Sequence, residues 1–340
     1  MKTQMYKEAI EASAKVAEQY LQQKEKFIAT TERIRNYGPE HLVTTARGSS
    51  DHAASFLNFL TMQHLGILST SLPMSLVTLY QAPLRAHKTL CVGVSQSGAS
   101  PDVRSPIKYF KEHGGLTLSL VNVENSPLYN ESELALGLMA GEEKAVAATK
   151  SFITSLSAIY SLVAHWKNDP ALIQEISQLP DLLERAQKLS WAPFIDKLIH
   201  TDKIMVVGRG PGLSLALEAG LKFKETCQIQ AEAFSSAEIK HGPQALIDKG
   251  YTILIFATSG PIMTDLLRLA EDYKARGANV ILAAPSYVKE KDLEIISSKN
   301  SELEILTAIQ SFYLAISELS IARGLNPDAP KFLNKVTTTL

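Results

Sequence analysis

Residues 41–50 read HLVTTARGSS and residues 203–212 read KIMVVGRGPG: an apolar run of strand length, an Arg-Gly pair, then small residues that lead into a helical pattern. The likeness is not isolated. Arg47-Gly48 returns as Arg209-Gly210, Ser97-Gly98 as Ser259-Gly260 and Gly115 as Gly277, each 162 positions later. Three coincidences at one offset mark an internal repeat, and self-similarity at a fixed spacing has to be settled before any other reading of the chain.

Working outward, each half presents the same order of elements. The first runs HLVTTA (strand), RGSS (turn), a helix from about Asp51 to His64, TLCVGV (strand), SQSGAS (turn), a helix from about Asp102 to His113, and LTLSLVN (strand). The second runs KIMVVG, RGPG, a helix to about Cys227, YTILIFA, TSGP, a helix to about Arg276, and NVILAAP. Short β-branched runs without polar alternation, each followed by a helical pattern, indicate parallel strands covered on both faces. The expected fold class is α/β, two doubly wound parallel-sheet domains related by the repeat. An amphipathic helix is expected over 1–34, the first domain over 35–167 and the second over 195–324. Between them, Asn168, Asp169 and Pro170 open a polar helical connection over 168–194, and a tail follows over 325–340.

Composition narrows the function. The 340 residues are 45% hydrophobic and 20% charged, as in a soluble globular protein, and the formal net charge is -1. With no basic run to offset that balance, nucleic acid is not an expected partner. No window approaches the roughly 18 uninterrupted apolar residues of a membrane span, and the charged start MKTQMYKEAIEASAKVAEQYLQQKEKF does not read as a signal peptide. A cytoplasmic location and no membrane partner are expected. Cys91 and Cys227 have no metal or redox spacing and read as small buried hydrophobes.

In open parallel sheets the ligand crevice lies beyond the carboxyl ends of the strands, where SQSGAS falls. The unpaired N–H groups that begin the next helix sit at the positive end of its dipole and favour an anion. Ser95, Ser97 and Ser100 add hydroxyls, Gln96 an amide, and Gly98 lets the backbone come close. The Walker A lysine is missing, which favours a phosphate monoester over a nucleoside triphosphate. An isolated Ser-x-Ser-Gly would more simply cap a helix, but Ser50, in the equivalent turn RGSSD, gives two adjacent strand ends that offer hydroxyls to one crevice. GRGPG at 208–212 lacks the dinucleotide spacing and following acid.

RGSS, SQSGASPD, AGEEKAVAATKSF (140–152), EAGLKFKETCQIQAEAFSSAEIKHGPQALID (218–248) and APKFLNKVTTT together resemble the isomerase half of glucosamine-6-phosphate synthase, a tandem pair of sugar isomerase (SIS) domains. The resemblance covers the chain from about residue 35 onward. Only one helix precedes the first SIS domain, with no glutaminase segment, so the chain looks like the SIS-type class of glucosamine-6-phosphate deaminase. The resemblance implies a small-molecule sugar phosphate held by Ser50, Ser95, Gln96, Ser97 and Ser100, with Gly48, Ser49, Gly98 and Val146 completing the pocket. It implies Glu225 as the acid-base that moves a proton between C1 and C2, Lys222 as a nearby catalytic lysine, His241 as the ring-opening histidine and Lys335 as a Schiff-base lysine. It further implies no metal, no organic cofactor, and a homodimer in which His241 enters the neighbouring subunit's site.

The residues themselves leave alternatives beside these roles. Glu218, Lys222 and Glu225 share one helix face at i, i+4 and i+7, which alone reads as a surface ion-pair ladder. The polar face of this helix is expected to border the crevice, with burial opposing the pull of Lys222 on the Glu225 pKa. His241 precedes Gly242 and Pro243 and so sits in a turn; Lys335 alone reads as a solvated tail lysine, or as part of a segment that closes over bound sugar. Ala99, Ala148 and Val336 depart from the synthase pattern and leave open which amino sugar is accepted. A deglycase or isomerase acting on fructosamine 6-phosphate or galactosamine 6-phosphate, and a non-catalytic phosphosugar sensor, stand as alternatives. TSGP at 258–261, a counterpart of the phosphate turn with fewer donors, is not expected to bind a second phosphate.

Overall fold

The computed structural model describes residues 2–335; Val336 and the rest of the tail to 340 lie outside them. The chain divides into two compact units, one of residues 12–143 and 150–180, the other of residues 2–11, 144–149 and 181–335. The helix Gln4–Tyr37 contributes to both.

In the first unit the sheet contains β1 (His41–Thr45), β2 (Leu68–Ser71), β3 (Thr89–Ser95), β4 (Leu116–Val121) and β5 (Leu134–Gly137), in the order β2-β1-β3-β4-β5. Every pairing is parallel. All residues of β3 and β4 are buried, as strands covered on both faces must be. Helices Ser49–Leu65 and Pro101–Glu112 follow β1 and β3, and helix Lys150–Lys167 is buried along nearly its whole length. Asp169 caps the next helix, Pro170–Ile176, accepting from the N–H groups of Ala171 and Leu172.

The second unit repeats this plan. Its strands β6 (Lys203–Gly208), β7 (Gln230–Ser235), β8 (Thr252–Phe256), β9 (Asn279–Pro285) and β10 (Leu293–Ile295) are all parallel, in the order β10-β9-β8-β6-β7. Matching β6 to β1 and onward gives the same 2-1-3-4-5 order, so the repeat read from three short coincidences is a repeat of topology. That order places a switch point between β1 and β3, and another between β6 and β8.

A polar clamp repeats as well. Arg47, after β1, donates from Nε to Asp102 Oδ2 at 2.7 Å in the first turn of the helix after β3. Arg209, after β6, stands 3.6 Å from Asp265 in the corresponding helix Met263–Ala275. Each clamp joins the two turns that flank a switch point.

The core of the second unit includes Phe194, Phe223, Phe256 and Phe312, with ring centroids 5.5 to 6.3 Å apart along the packed pairs. Phe312 belongs to helix Ser301–Ala322, which by length and composition alone could cross a membrane; 83% of that stretch is buried inside the fold, where it is a core helix. Cys91 and Cys227 are buried free thiols, and burial pushes both pKa values up, that of Cys227 to about 12, so neither is a nucleophile at neutral pH.

Candidate active site

At the switch point of the first unit, β1 and β3 are direct neighbours, with Thr45 opposite Gly93. Their carboxyl ends therefore emerge side by side and carry RGSS and SQSGAS. Gly48 precedes helix Ser49–Leu65 with φ 54° and ψ −134°, a conformation closed to side chains, while a Cβ there would meet nothing. Gly98 is held more tightly: φ is 64°, and a Cβ would lie 2.1 Å from Ser126 Oγ and 2.7 Å from Ser126 Cβ. The Gly98 carbonyl accepts from Leu128 N–H and its own N–H donates to Ser95 Oγ at 2.9 Å. Ser95 is thus the buried brace of the turn, and its hydroxyl proton stays available.

The remaining hydroxyls of the two turns are not spent on capping the helices. Ser100 occupies the N-cap position of helix Pro101–Glu112, yet its side chain makes no capping bond. The hydroxyls of Ser50 and Ser100 have no partner among the described residues, and Ser97 Oγ only accepts, from Ala99 N–H at 3.3 Å. Partly exposed donors at the starts of the helices that follow two adjacent strands, with no cation among them except the clamp residue Arg47, form a cradle suited to one phosphate. Arg47 and Asp102, which fix the two turns relative to each other, were not apparent from the sequence. Their ion pair joins residues 55 apart in the chain.

In the second unit the acid-base candidates lie on helix Gly212–Cys227. Lys222 Nζ stands 2.6 Å from Glu225 Oε2 and 3.2 Å from Glu218 Oε1, and Tyr313 donates its hydroxyl to Glu218 Oε1 at 2.8 Å. Lys222 and Glu218 are fully buried; the Glu225 side chain is 21% exposed. The ladder is therefore not a solvated one, and the burial expected of Glu225 falls on its partners instead. Burial by itself would depress the Lys222 pKa, but the two carboxylates more than offset it and hold the ammonium protonated above its ordinary value.

Glu225 lies in the last turn of its helix, at the end opposite turn 209–212 and so away from the carboxyl edge of its own sheet. It opens instead on a cleft of about 650 Å³ lined also by Lys224, Gln228 and the tail residues Lys331, Phe332 and Leu333. The described part of the tail, to Lys335, is tied down within this unit. Asp328 accepts from the N–H groups of Gln4 and Met5, capping the first helix from 324 residues away, and its carbonyl accepts from Val146 N–H. Glu8 accepts from Lys144 and Ala145 N–H, and Lys335 Nζ donates to the Ala145 carbonyl at 2.7 Å. Lys335 is thus brought to the segment that carries Val146, against the reading of a free tail lysine.

His241 ends a short 3-10 helix, Glu238–His241, after β7, and Gly242 follows with φ 147°. Its imidazole is exposed and has no hydrogen-bond partner among the described residues. A separate cavity of about 310 Å³ at His41, Leu68 and Thr89 lies at the amino ends of the first sheet's strands, away from the cradle. Among the described residues no cluster of His, Cys, Asp and Glu has the composition of a metal site.

Comparison with known proteins supplies the rest. The SIS domain family model matches residues 37–165 and again 197–317. An isomerizing glutamine-fructose-6-phosphate aminotransferase of Methanothermobacter thermautotrophicus is 33% identical over 309 residues, covering 88% of this chain and 52% of that protein. The chain spans about half the length of the curated relatives it matches. The crystal structure of a provisionally assigned phosphosugar isomerase from Silicibacter pomeroyi superposes with a TM-score of 0.91 at 34% identity, covering 96% of this chain and 100% of that one. Glucosamine-6-phosphate deaminase of Thermotoga maritima shares the fold, with a TM-score of 0.80 at 22% identity and coverage of 99% and 100%.

Proposed function

The chain belongs to the SIS domain family, and from that premise we propose that it is an amino sugar phosphate isomerase working as a glucosamine-6-phosphate deaminase. The observation that carries the proposal is the Glu225 carboxylate, partly open to a cleft and fixed by the buried ammonium of Lys222. A proton shuttled between adjacent carbons needs one base that takes it from the first and returns it to the second, and a positioned carboxylate meets that need. The hydroxyl cradle around Ser97 and Ser100 supports a phosphate monoester as the handle. The relatives' name supplies the class of sugar, since transfer of an amino group to fructose 6-phosphate gives an amino sugar phosphate.

In the proposed sequence His241 moves the proton that opens the pyranose ring, an exchange suited to imidazole near neutral pH. Glu225 removes the C2 proton of the open aldose and returns it to C1 while a proton passes from the amine to O1, which turns the aldehyde into a hydroxymethyl group and the C2 amine into an imine. Water adds at C2 and ammonia leaves, so glucosamine 6-phosphate and water give fructose 6-phosphate and ammonia. Lys222 is a fixed positive charge beside the base, and Lys335 supplies an amine for the open-chain ketose. His241, exposed and without a hydrogen-bond partner among the described residues, supports the homodimer of the proposal, in which it serves a second copy, and a cytoplasmic setting belongs to the same reading.

The test is an ammonia-release panel of glucosamine 6-phosphate, galactosamine 6-phosphate and fructosamine 6-phosphate. Highest kcat/KM on the first supports the deaminase; preference for the last makes the chain a deglycase; phosphate-dependent binding without turnover on any makes it a sensor.

A further inference from the structure

The second unit contains the counterpart of the phosphate turn, and it is already filled. Ser259 and Gly260 stand 162 positions after Ser97 and Gly98, at the end of β8, the strand that corresponds to β3. Gly260 keeps the positive φ of Gly98, 97° against 64°. Where the first unit leaves its donors open, this loop directs them at one carboxylate. Ser259 N–H donates to Glu304 Oε2 at 2.6 Å, Ser259 Oγ donates to Glu304 Oε1 at 2.7 Å, and Ser298 N–H donates to the same oxygen at 3.2 Å. Ser259 Oγ also lies 2.6 Å from Tyr287 Oη. Glu304, in the first turn of helix Ser301–Ala322, is fully buried.

We infer that the loop around Ser259 is an anion-binding site whose resident ligand is the Glu304 carboxylate, so that the second unit is closed to phosphate monoesters and each chain holds only one. Two backbone N–H groups and a hydroxyl converging on a dry carboxylate repeat the donor types of the open cradle, with the chain's own anion in place of a solute. A phosphate entering beside that carboxylate would meet like charge at contact distance in a buried setting, where repulsion is poorly screened. Removing the carboxylate leaves the donors without an acceptor, and a small oxyanion becomes their natural replacement.

The inference shares with the proposed function only the assignment of one phosphate to the first unit, and the test separates the two. Inorganic phosphate binding to the full chain is titrated calorimetrically for the native sequence, Glu304→Ala, and Glu304→Ala with Ser259→Ala, each also in a Ser97→Ala/Ser100→Ala background. One site per chain in the native sequence, two in Glu304→Ala and one again in the double variant are expected; in the Ser97/Ser100 background each count falls by one. No site in the native sequence contradicts the first-unit cradle and leaves the inference to the gain on Glu304→Ala. An unchanged count in folded Glu304→Ala overturns the inference. If Glu304→Ala folds only with difficulty, its refolding is compared in phosphate and in chloride of equal ionic strength. Recovery of folded chain in phosphate alone supports the inference, and equal recovery, or none in either, overturns it.

Discussion

Lys222 reaches Glu225 at 2.6 Å and Glu218 at 3.2 Å, so one buried ammonium serves two carboxylates of which only Glu225 touches the cleft. This arrangement separates the roles. Glu218 and Tyr313 hold Lys222, Lys222 holds Glu225, and Glu225 is left to meet a substrate. Replacing Lys222 with Met strands two negative charges, one fully buried; breaking such a pair costs about 3–5 kcal/mol, and a large fall in melting temperature is expected. The folded state keeps Lys222 protonated above its ordinary 10.5, so its contribution to stability is complete below that pH and is lost as pH rises through the higher folded value. An alkaline unfolding limb that is absent from Lys222→Met, measured by pH-dependent melting, checks this.

Gly98→Ala is expected to damage the cradle more than any single serine change. The new Cβ would stand 2.1 Å from Ser126 Oγ on a backbone with φ 64°, and such strain costs on the order of 1–3 kcal/mol. Phosphate affinity and melting temperature should fall together. Ser100→Ala, by contrast, removes a hydroxyl with no partner among the described residues, so affinity should drop about 10-fold or more, in line with ~1.5–3 kcal/mol for a hydrogen bond to a charged group, with stability unchanged.

The first unit should weaken in mild acid through His165. This imidazole is buried, stacks on Phe27 at 5.7 Å and lies 2.7 Å from the Ser161 carbonyl. Burial, with Lys24 and Arg35 nearby, holds its pKa below the ordinary 6.5. The unfolded chain therefore takes up the proton first, and stability falls as pH drops below about 6.5 until the folded value is passed. His165→Gln should flatten that part of the stability profile just below pH 6.5.

The tail bridge predicts a split between binding and turnover. Asp328 caps the first helix and Lys335 sits on the loop that Glu8 holds. Asp328→Ala removes a helix cap worth ~1 kcal/mol and frees the tail, so kcat should fall several-fold while affinity for inorganic phosphate, read by the first unit, stays constant.

The sequence made the repeat, the adjacency of the strand ends that carry RGSS and SQSGAS, and six of the ten strands legible, because those strands are apolar runs or β-branched stretches ended by glycine or serine turns. The four it did not reveal, LSTS, LALG, QAEAFS and LEI, are the outer strands. They are short or partly exposed and carry no continuous apolar signal. The serine-rich turn at 95–100 was legible as a cluster of donors because they lie within a few residues. Arg47 with Asp102, Glu304 with Ser259, Tyr313 with Glu218 and Asp328 with Gln4 were not, because each pair is made by folding across 45 to 324 residues. The cleft that Glu225 opens on was not legible for a related reason: helix spacing gives which residues share a face, and only the packed helix shows which end of the sheet that face serves.

The central claim is that Glu225 moves the proton between C1 and C2 of an amino sugar phosphate. The direct measurement is turnover of glucosamine 6-phosphate labelled with deuterium at C2, following ammonia, fructose 6-phosphate and the label at C1, for the native chain and Glu225→Gln. Equal release of ammonia and fructose 6-phosphate, label appearing at C1 or washing out to solvent, and a roughly 10²–10⁴-fold loss in the variant with phosphate affinity intact are expected. Full turnover by Glu225→Gln, or ammonia release with the deuterium retained at C2, would contradict it.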